Sequence, residues 1–176
     1  MDGFNRLACA GWLSPSNIQS LAQVIKRKLL IAAFIVYIGV VAAVTIVPTH
    51  LSGFKAPPSY HINSVPFGYS FKCYRNAWGI FLDLKTFCLM NTFGNLALLL
   101  PLGILLPLIS HRFRTLKRVL LFALCLSVGI EAIQFVWRFF GNLRAVDIDD
   151  VILNTLGACL GFAFYKYGIQ KTEDSS

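Results

Sequence analysis

Four apolar stretches divide the chain, with polar segments between them. Residues 29–47 read LLIAAFIVYIGVVAAVTIV without a single charge. At ~1.5 Å per residue that run covers about 28 Å, close to the hydrocarbon thickness of a bilayer, and it predicts the first membrane helix. Pro48, Thr49 and His50 follow it where a cleaved leader would carry a small-x-small site, so it is read as retained. Residues 86–110 hold no Asp, Glu, Lys or Arg over 25 positions. They predict a second helix, kinked by Pro101 and Pro107. Residues 119–137 are apolar except for Glu131 and Gln134 and end on Trp137, a residue suited to the membrane interface. This is the third helix. The fourth apolar run, residues 151–165, has only 15 positions. To span, it must recruit the preceding Asp149-Asp150 turn or thin the bilayer locally.

Outside these runs the periodicity is amphipathic. Ser14-Pro15 offers a cap with proline at the first helical position, and Ile18, Leu21, Val24 and Ile25 then fall on one side, which predicts a short interfacial helix before residue 29. Phe71, Tyr74, Trp78, Phe81 and Leu82 recur at helical spacing opposite Lys72, Arg75 and Asp83, predicting a second surface segment in the first loop. The expected fold class is therefore all-α: a polytopic membrane protein with four transmembrane helices and one or two interfacial helices. Its expected organisation is an interfacial segment over residues 1–28, a four-helix domain over 29–165 and a tail over 166–176.

Composition agrees with that reading. The chain is 56% hydrophobic and only 14% charged over 176 residues, against roughly 25% charged in soluble domains. No sizeable extramembrane domain fits the remaining length. The net charge of +8 would point to nucleic acid in a soluble protein. Here the basic residues gather at the ends of apolar runs, in Lys26, Arg27 and Lys28 and in Arg112, Arg114, Lys117 and Arg118, so topology accounts for them and no nucleic-acid partner is expected. Four basic residues fall in the 8 positions 111–118, whereas the 38-residue first loop also holds four. That density predicts a multi-pass protein of the cell membrane with both termini and residues 111–118 cytoplasmic, and the first loop outside. The five cysteines form no CxxC pair and are odd in number, so most are read as small apolar fillers. Cys73 and Cys88 can pair only if the first loop faces an oxidising space.

The candidate chemistry lies inside the spans. A carboxylate at mid-bilayer costs at least ~2.5 kcal/mol, so Glu131 needs a partner, a polar cavity or a proton. Glu131, Gln134 and Arg138 climb one face of the third helix. Asn91 and Asn95 share a face near the outer start of the second. Asp147, Asp150, Asn154 and Gly157 follow at i, i+3, i+7 and i+10 on the fourth. Three helices thus bring polar groups to one depth. Gly157 and Gly161 make a GxxxG step that lets the fourth helix approach another closely. The competing structural account is that the same residues glue the bundle, with Glu131 paired to Arg138 or Arg144 and Asp149 and Asp150 capping the fourth helix.

Several of these residues fall in motifs. Asn63, Pro66 and Phe67 lie in NSVPF; Asn91, Gly94 and Asn95 in NTFGN, followed by PLGILLP from Pro101. Ser127, Glu131 and Gln134 lie in SVGIEAIQ, and Arg144, Asp147, Asp150, Asn154 and Gly157 in RAVDIDDVILNTLG. In this order they make residues 63–161 resemble the VanZ-like family of small membrane proteins, whose founding member is associated with resistance to the glycopeptide teicoplanin. The resemblance implies a site and an association with the cell envelope, and no reaction.

From residues and resemblance together the first functional reading is an intramembrane site for an envelope lipid or lipid-linked cell-wall intermediate, able to lower sensitivity to lipoglycopeptide antibiotics. Asn91, Asn95, Gln134, Arg138, Arg144 and Asn154 would bind, the arginines recognising phosphate. A second reading is an intramembrane hydrolase or transferase on such lipids with Glu131, Asp147 and Asp150 catalytic. There the hard oxygen ligands would suit magnesium or manganese. A third is a structural or assembly protein without a ligand.

Overall fold

A computed structural model describes residues 15–46, 62–68, 71, 75, 82–137 and 146–171. Helix α1 runs Pro15–Ile46. The segment expected as a separate interfacial helix continues without a break into the first span, because Lys26, Arg27 and Lys28 are good helix formers and no Gly or Pro interrupts them. Its 32 residues exceed what a bilayer core of about 30 Å accommodates. The basic triplet sits in the surplus, where charge is tolerated.

The second span is two helices. Helix α2, Leu82–Leu98, stops at Leu99, and α3, Leu100–Ile109, starts with Pro101 in its first turn. Pro101 has no N–H for the Ala97 carbonyl and its ring crowds that turn, so the expected kink falls here rather than at Pro107. At the break the Leu98 carbonyl accepts a hydrogen bond of 2.8 Å from the Tyr37 hydroxyl, which ties α1 to the kink. A three-residue 3-10 turn, His111–Phe113, leads into α4, Leu116–Trp137. Helix α5, Ile148–Phe164, recruits the aspartate turn as expected, and it also lengthens at the other end through a π-helical turn, Tyr165–Gln170. The continuous element Ile148–Gln170 then has 23 residues and is long enough to span. Among the described residues, four helices are long and apolar enough to cross a membrane.

Helix α5 is the hub, packed against α2, α3 and α4, while α1 touches the outside of α3 and α4. Small residues explain its central place. A Cβ on Gly157 would run into the Leu96 carbonyl oxygen, one on Gly161 into that of Leu100, and one on Gly103 into that of Ala158. The backbones of α5 and α2–α3 are therefore in direct contact. Leu99, Leu102, Leu106, Val119, Ala123, Ala158, Phe162 and Tyr165 form the buried core below this seam. The outward faces carry exposed leucine, valine and phenylalanine, as lipid-facing helices do.

Two residue pairs form a short parallel ladder, Ile62–Asn63 (β1) against Val146–Asp147 (β2), with Asn63 opposite Asp147. The NSVPF segment of the first loop is thereby seated beside the start of α5. Most of the surface segment expected over residues 71–82 lies outside the described residues. Cys88 is disulfide-bonded to a cysteine outside the described residues. Cys88, which the sequence left open to pairing, is thus not an apolar filler, whereas Cys125 and Cys159 are free thiols.

Candidate functional site

Helix α4 turns Val119, Ala123, Ser127, Ile130, Glu131 and Gln134 inward, at spacings of three and four, so one apolar stripe ends in a polar cluster. Glu131 is 6% exposed, Gln134 3% and Asn154 1%. Burial at this level leaves no bulk water to satisfy them, and each has found a protein partner. The Asn154 amide nitrogen donates to Ser127 Oγ at 3.0 Å, and Gln134 Nε2 donates to the Thr45 carbonyl at 3.3 Å. Asn95 Nδ2 donates to Asp150 Oδ1. The backbone N–H of Asp147 donates to Glu131 Oε2 at 3.2 Å.

The three aspartates at the start of α5 have separate tasks. Asp147 is the N-cap: its backbone is extended and its Oδ1 accepts the Asp149 N–H at 3.0 Å. Asp149, buried, accepts the Phe67 N–H on Oδ1 at 2.5 Å, so it fastens the first loop across α5. Phe67 has φ 59°, a left-handed conformation favoured by glycine, at the third position of the turn closed by Gly68 N–H to the Val65 carbonyl at 3.0 Å. Pro66 in the second position suits such a turn. Only Asp150 looks onto the open space beside Asn95.

That space is a cavity of about 180 Å³ lined by Asn91, Asn95, Glu131, Gln134, Asp150 and Asn154, with Thr45, Val44, Met90, Gly94, Leu98 and Ile130 completing its wall. The structure brings together every described residue proposed from the sequence except Asp147, whose carboxylate is occupied by the cap and which meets the site through its amide. Arg138 and Arg144 lie outside the described residues. Thr45 was not foreseen. It is the one aliphatic hydroxyl in the uncharged apolar run 29–47, and that contrast is the signal it offered.

Gln134 Oε1 and Asn154 Oδ1 are buried and have no hydrogen-bond partner among the described residues. Each amide nitrogen donates a hydrogen bond, Gln134 to the Thr45 carbonyl and Asn154 to Ser127, while each amide oxygen remains an acceptor without a donor. With the Glu131 and Asp150 carboxylates the cavity is rich in acceptors, and it attracts groups that donate hydrogen bonds or carry positive charge. Among the described residues no three His, Cys, Asp or Glu side chains converge as metal ligands. Of the six oxygen-bearing residues considered for magnesium or manganese, Asn91, Asn95, Glu131, Asp150 and Asn154 line the cavity and Asp147 does not, and the Glu131 and Asp150 carboxylates each accept a hydrogen bond.

No curated protein and no solved structure matches the chain. A family model does: VanZ/LLP1 matches residues 34–169. That range begins in α1 beside Tyr37, ends in the π-helical turn after α5 and contains the whole cavity lining, and over it the chain belongs to the VanZ/LLP1 family.

Proposed function

We propose that the cavity holds part of the head group of an envelope lipid or lipid-linked cell-wall intermediate, and that this lowers sensitivity to lipoglycopeptide antibiotics. The observation that carries the reading is the pair of buried, unpartnered acceptors on Gln134 and Asn154 beside two carboxylates. Leaving such an oxygen unsatisfied costs about 1–3 kcal/mol, which a ligand donor would recover. Size and charge narrow the ligand. At about 180 Å³ the space falls below the ~300–1,000 Å³ of whole small-molecule sites, so a single hydroxyl- or amine-bearing portion enters. A phosphate is repelled by Glu131 and Asp150 and stays outside the cavity, where Arg138 and Arg144 are its expected contacts. The family resemblance to a teicoplanin-resistance protein supports the drug link.

The test is Asn154→Leu combined with Ser127→Ala, which removes the acceptor and its hydrogen-bonded partner together, so no new buried orphan is created. In a Gram-positive host the wild-type chain should raise teicoplanin tolerance and co-purify with a lipid that carries an amine or sugar. The double variant, present at equal level, should do neither. Undiminished tolerance in that variant would remove the cavity from the account.

The orientation we propose places both termini and the loop before α4 in the cytoplasm, on the density of basic residues. The disulfide at Cys88 supports it, since that bond persists in an oxidising space and lies at the first-loop end of α2. Single cysteines introduced at Lys117 and Ser176 should resist an impermeant thiol reagent in intact cells, and one at Gly53 should react. Labelling at Lys117 from outside would reverse the topology.

A further inference from the structure

At the far end of the bundle from the polar cavity, a second depression opens on the outer wall between the 3-10 turn and the first turns of α4. It has a volume of about 590 Å³ and is lined by Arg112, Phe113, Arg118, Leu121, Phe122 and Cys125. Its rim is built. Ser110 Oγ accepts the Arg112 N–H at 3.4 Å and caps the turn, and the Phe113 N–H returns to the Ser110 carbonyl at 3.0 Å. Arg118 Nη1 donates to the Arg112 carbonyl at 2.8 Å, which uses one of the five N–H donors of an exposed guanidinium. Neither arginine forms an ion pair with a described residue. The sequence offers none nearby in the chain, since no Asp or Glu occurs between Asp83 and Glu131.

Below the rim the wall is apolar. Phe113 and Phe122 meet edge to face at 5.4 Å and 72°, Leu121 is 60% exposed, and Cys125 is exposed beneath them. Cys125 lies seven residues along the helix from Arg118, about 10 Å toward the middle of the span. A ligand that fits must be anionic at one end and a hydrocarbon along the other. We infer that this groove binds one anionic phospholipid, its phosphate held by Arg112 and Arg118 and an acyl chain lying along Leu121, Phe122 and Cys125. Charge complementarity selects it over a zwitterionic lipid, whose own ammonium would meet the two arginines, and guanidinium suits phosphate because two parallel N–H groups match two oxygens. A soluble peptide or nucleic acid does not reach a wall that descends a membrane-spanning helix.

The experiment is native mass spectrometry of the full chain released from a neutral maltoside detergent, titrated with phosphatidylglycerol and, separately, with phosphatidylcholine. Wild type should retain phosphatidylglycerol at least about tenfold more tightly, a difference of ~1.4 kcal/mol. Arg112→Ala, whose side chain has no part in folding the turn, should abolish most of that preference. Arg118→Ala should do the same. Cys125→Trp fills the apolar floor without changing charge and should weaken phosphatidylglycerol binding several-fold, with a monodisperse elution profile confirming the fold. Millimolar inorganic phosphate should not displace the lipid. Equal retention of the two lipids, an Arg112→Ala variant indistinguishable from wild type, or full displacement by phosphate would each overturn the site.

Discussion

Replacing Gly157 with leucine is expected to leave no folded bundle, and even alanine there should cost more than about 3 kcal/mol, beyond the usual range for overpacking. A single added carbon at Gly157 meets the Leu96 carbonyl oxygen, which belongs to the backbone of α2 and cannot rotate aside. The two helices would have to separate. Because α5 also packs on α3 and α4, moving it off α2 disturbs the Asn95–Asp150 and Asn154–Ser127 hydrogen bonds as well. Gly129 is the control: a Cβ there meets nothing within 4 Å, so alanine should be neutral or gain up to about 1 kcal/mol from higher helix propensity. Fluorescence-detected size exclusion with a thermal ramp reads both. A Gly157→Leu protein eluting and melting like wild type would mean that the α5–α2 seam is not as close as described.

Glu131→Gln should separate function from folding. The Glu131 Oε2 accepts the Asp147 N–H, a bond that the glutamine carbonyl oxygen can also accept, so shape and helix contact persist. Removing a charge from a buried position offsets any weakening of that bond, and the melting stability should stay within about 1 kcal/mol of wild type. What disappears is the negative charge facing the cavity. If a hydroxyl or amine of a head group binds there, the amide weakens it because a charged acceptor makes the stronger bond, and drug tolerance should fall sharply at unchanged expression. Full tolerance and full lipid retention in a well-expressed Glu131→Gln protein would return the cluster to the role of structural glue. Asp147→Asn sharpens the contrast. Asparagine is as good an N-cap as aspartate, and the side chain does not line the cavity, so this variant should behave as wild type.

Much of the bundle was legible in the order of residues. An uncharged run such as residues 29–47, or the 25 positions 86–110, can only be satisfied in hydrocarbon as a helix, so the four spans follow from local composition. The i, i+3, i+7 spacings likewise fixed which polar groups share a face, because helix geometry repeats every 3.6 residues whatever surrounds it. Glu131, Gln134, Asn154, Asn91 and Asn95 were candidates on that ground alone, and Gly157 and Gly161 announced a close helix contact.

Other features needed the assembled chain. Three aspartates within four positions look equivalent in sequence, yet Asp147 caps, Asp149 holds Phe67 and Asp150 receives Asn95. Their tasks depend on what the first loop, 82 residues earlier at Phe67, brings alongside them. Thr45 entered the site because the α1 backbone offers its carbonyl to Gln134, a contact across 89 positions. The disulfide at Cys88 also joins positions that no local rule connects. Sequence by itself determined the spans, their polar faces and the small-residue seam, since these are properties of one helix in a uniform apolar medium. Only tertiary structure decided the partner of each polar group and which oxygens were left without one, because those follow from how closely separate backbones approach, and that distance is set jointly by every side chain between them.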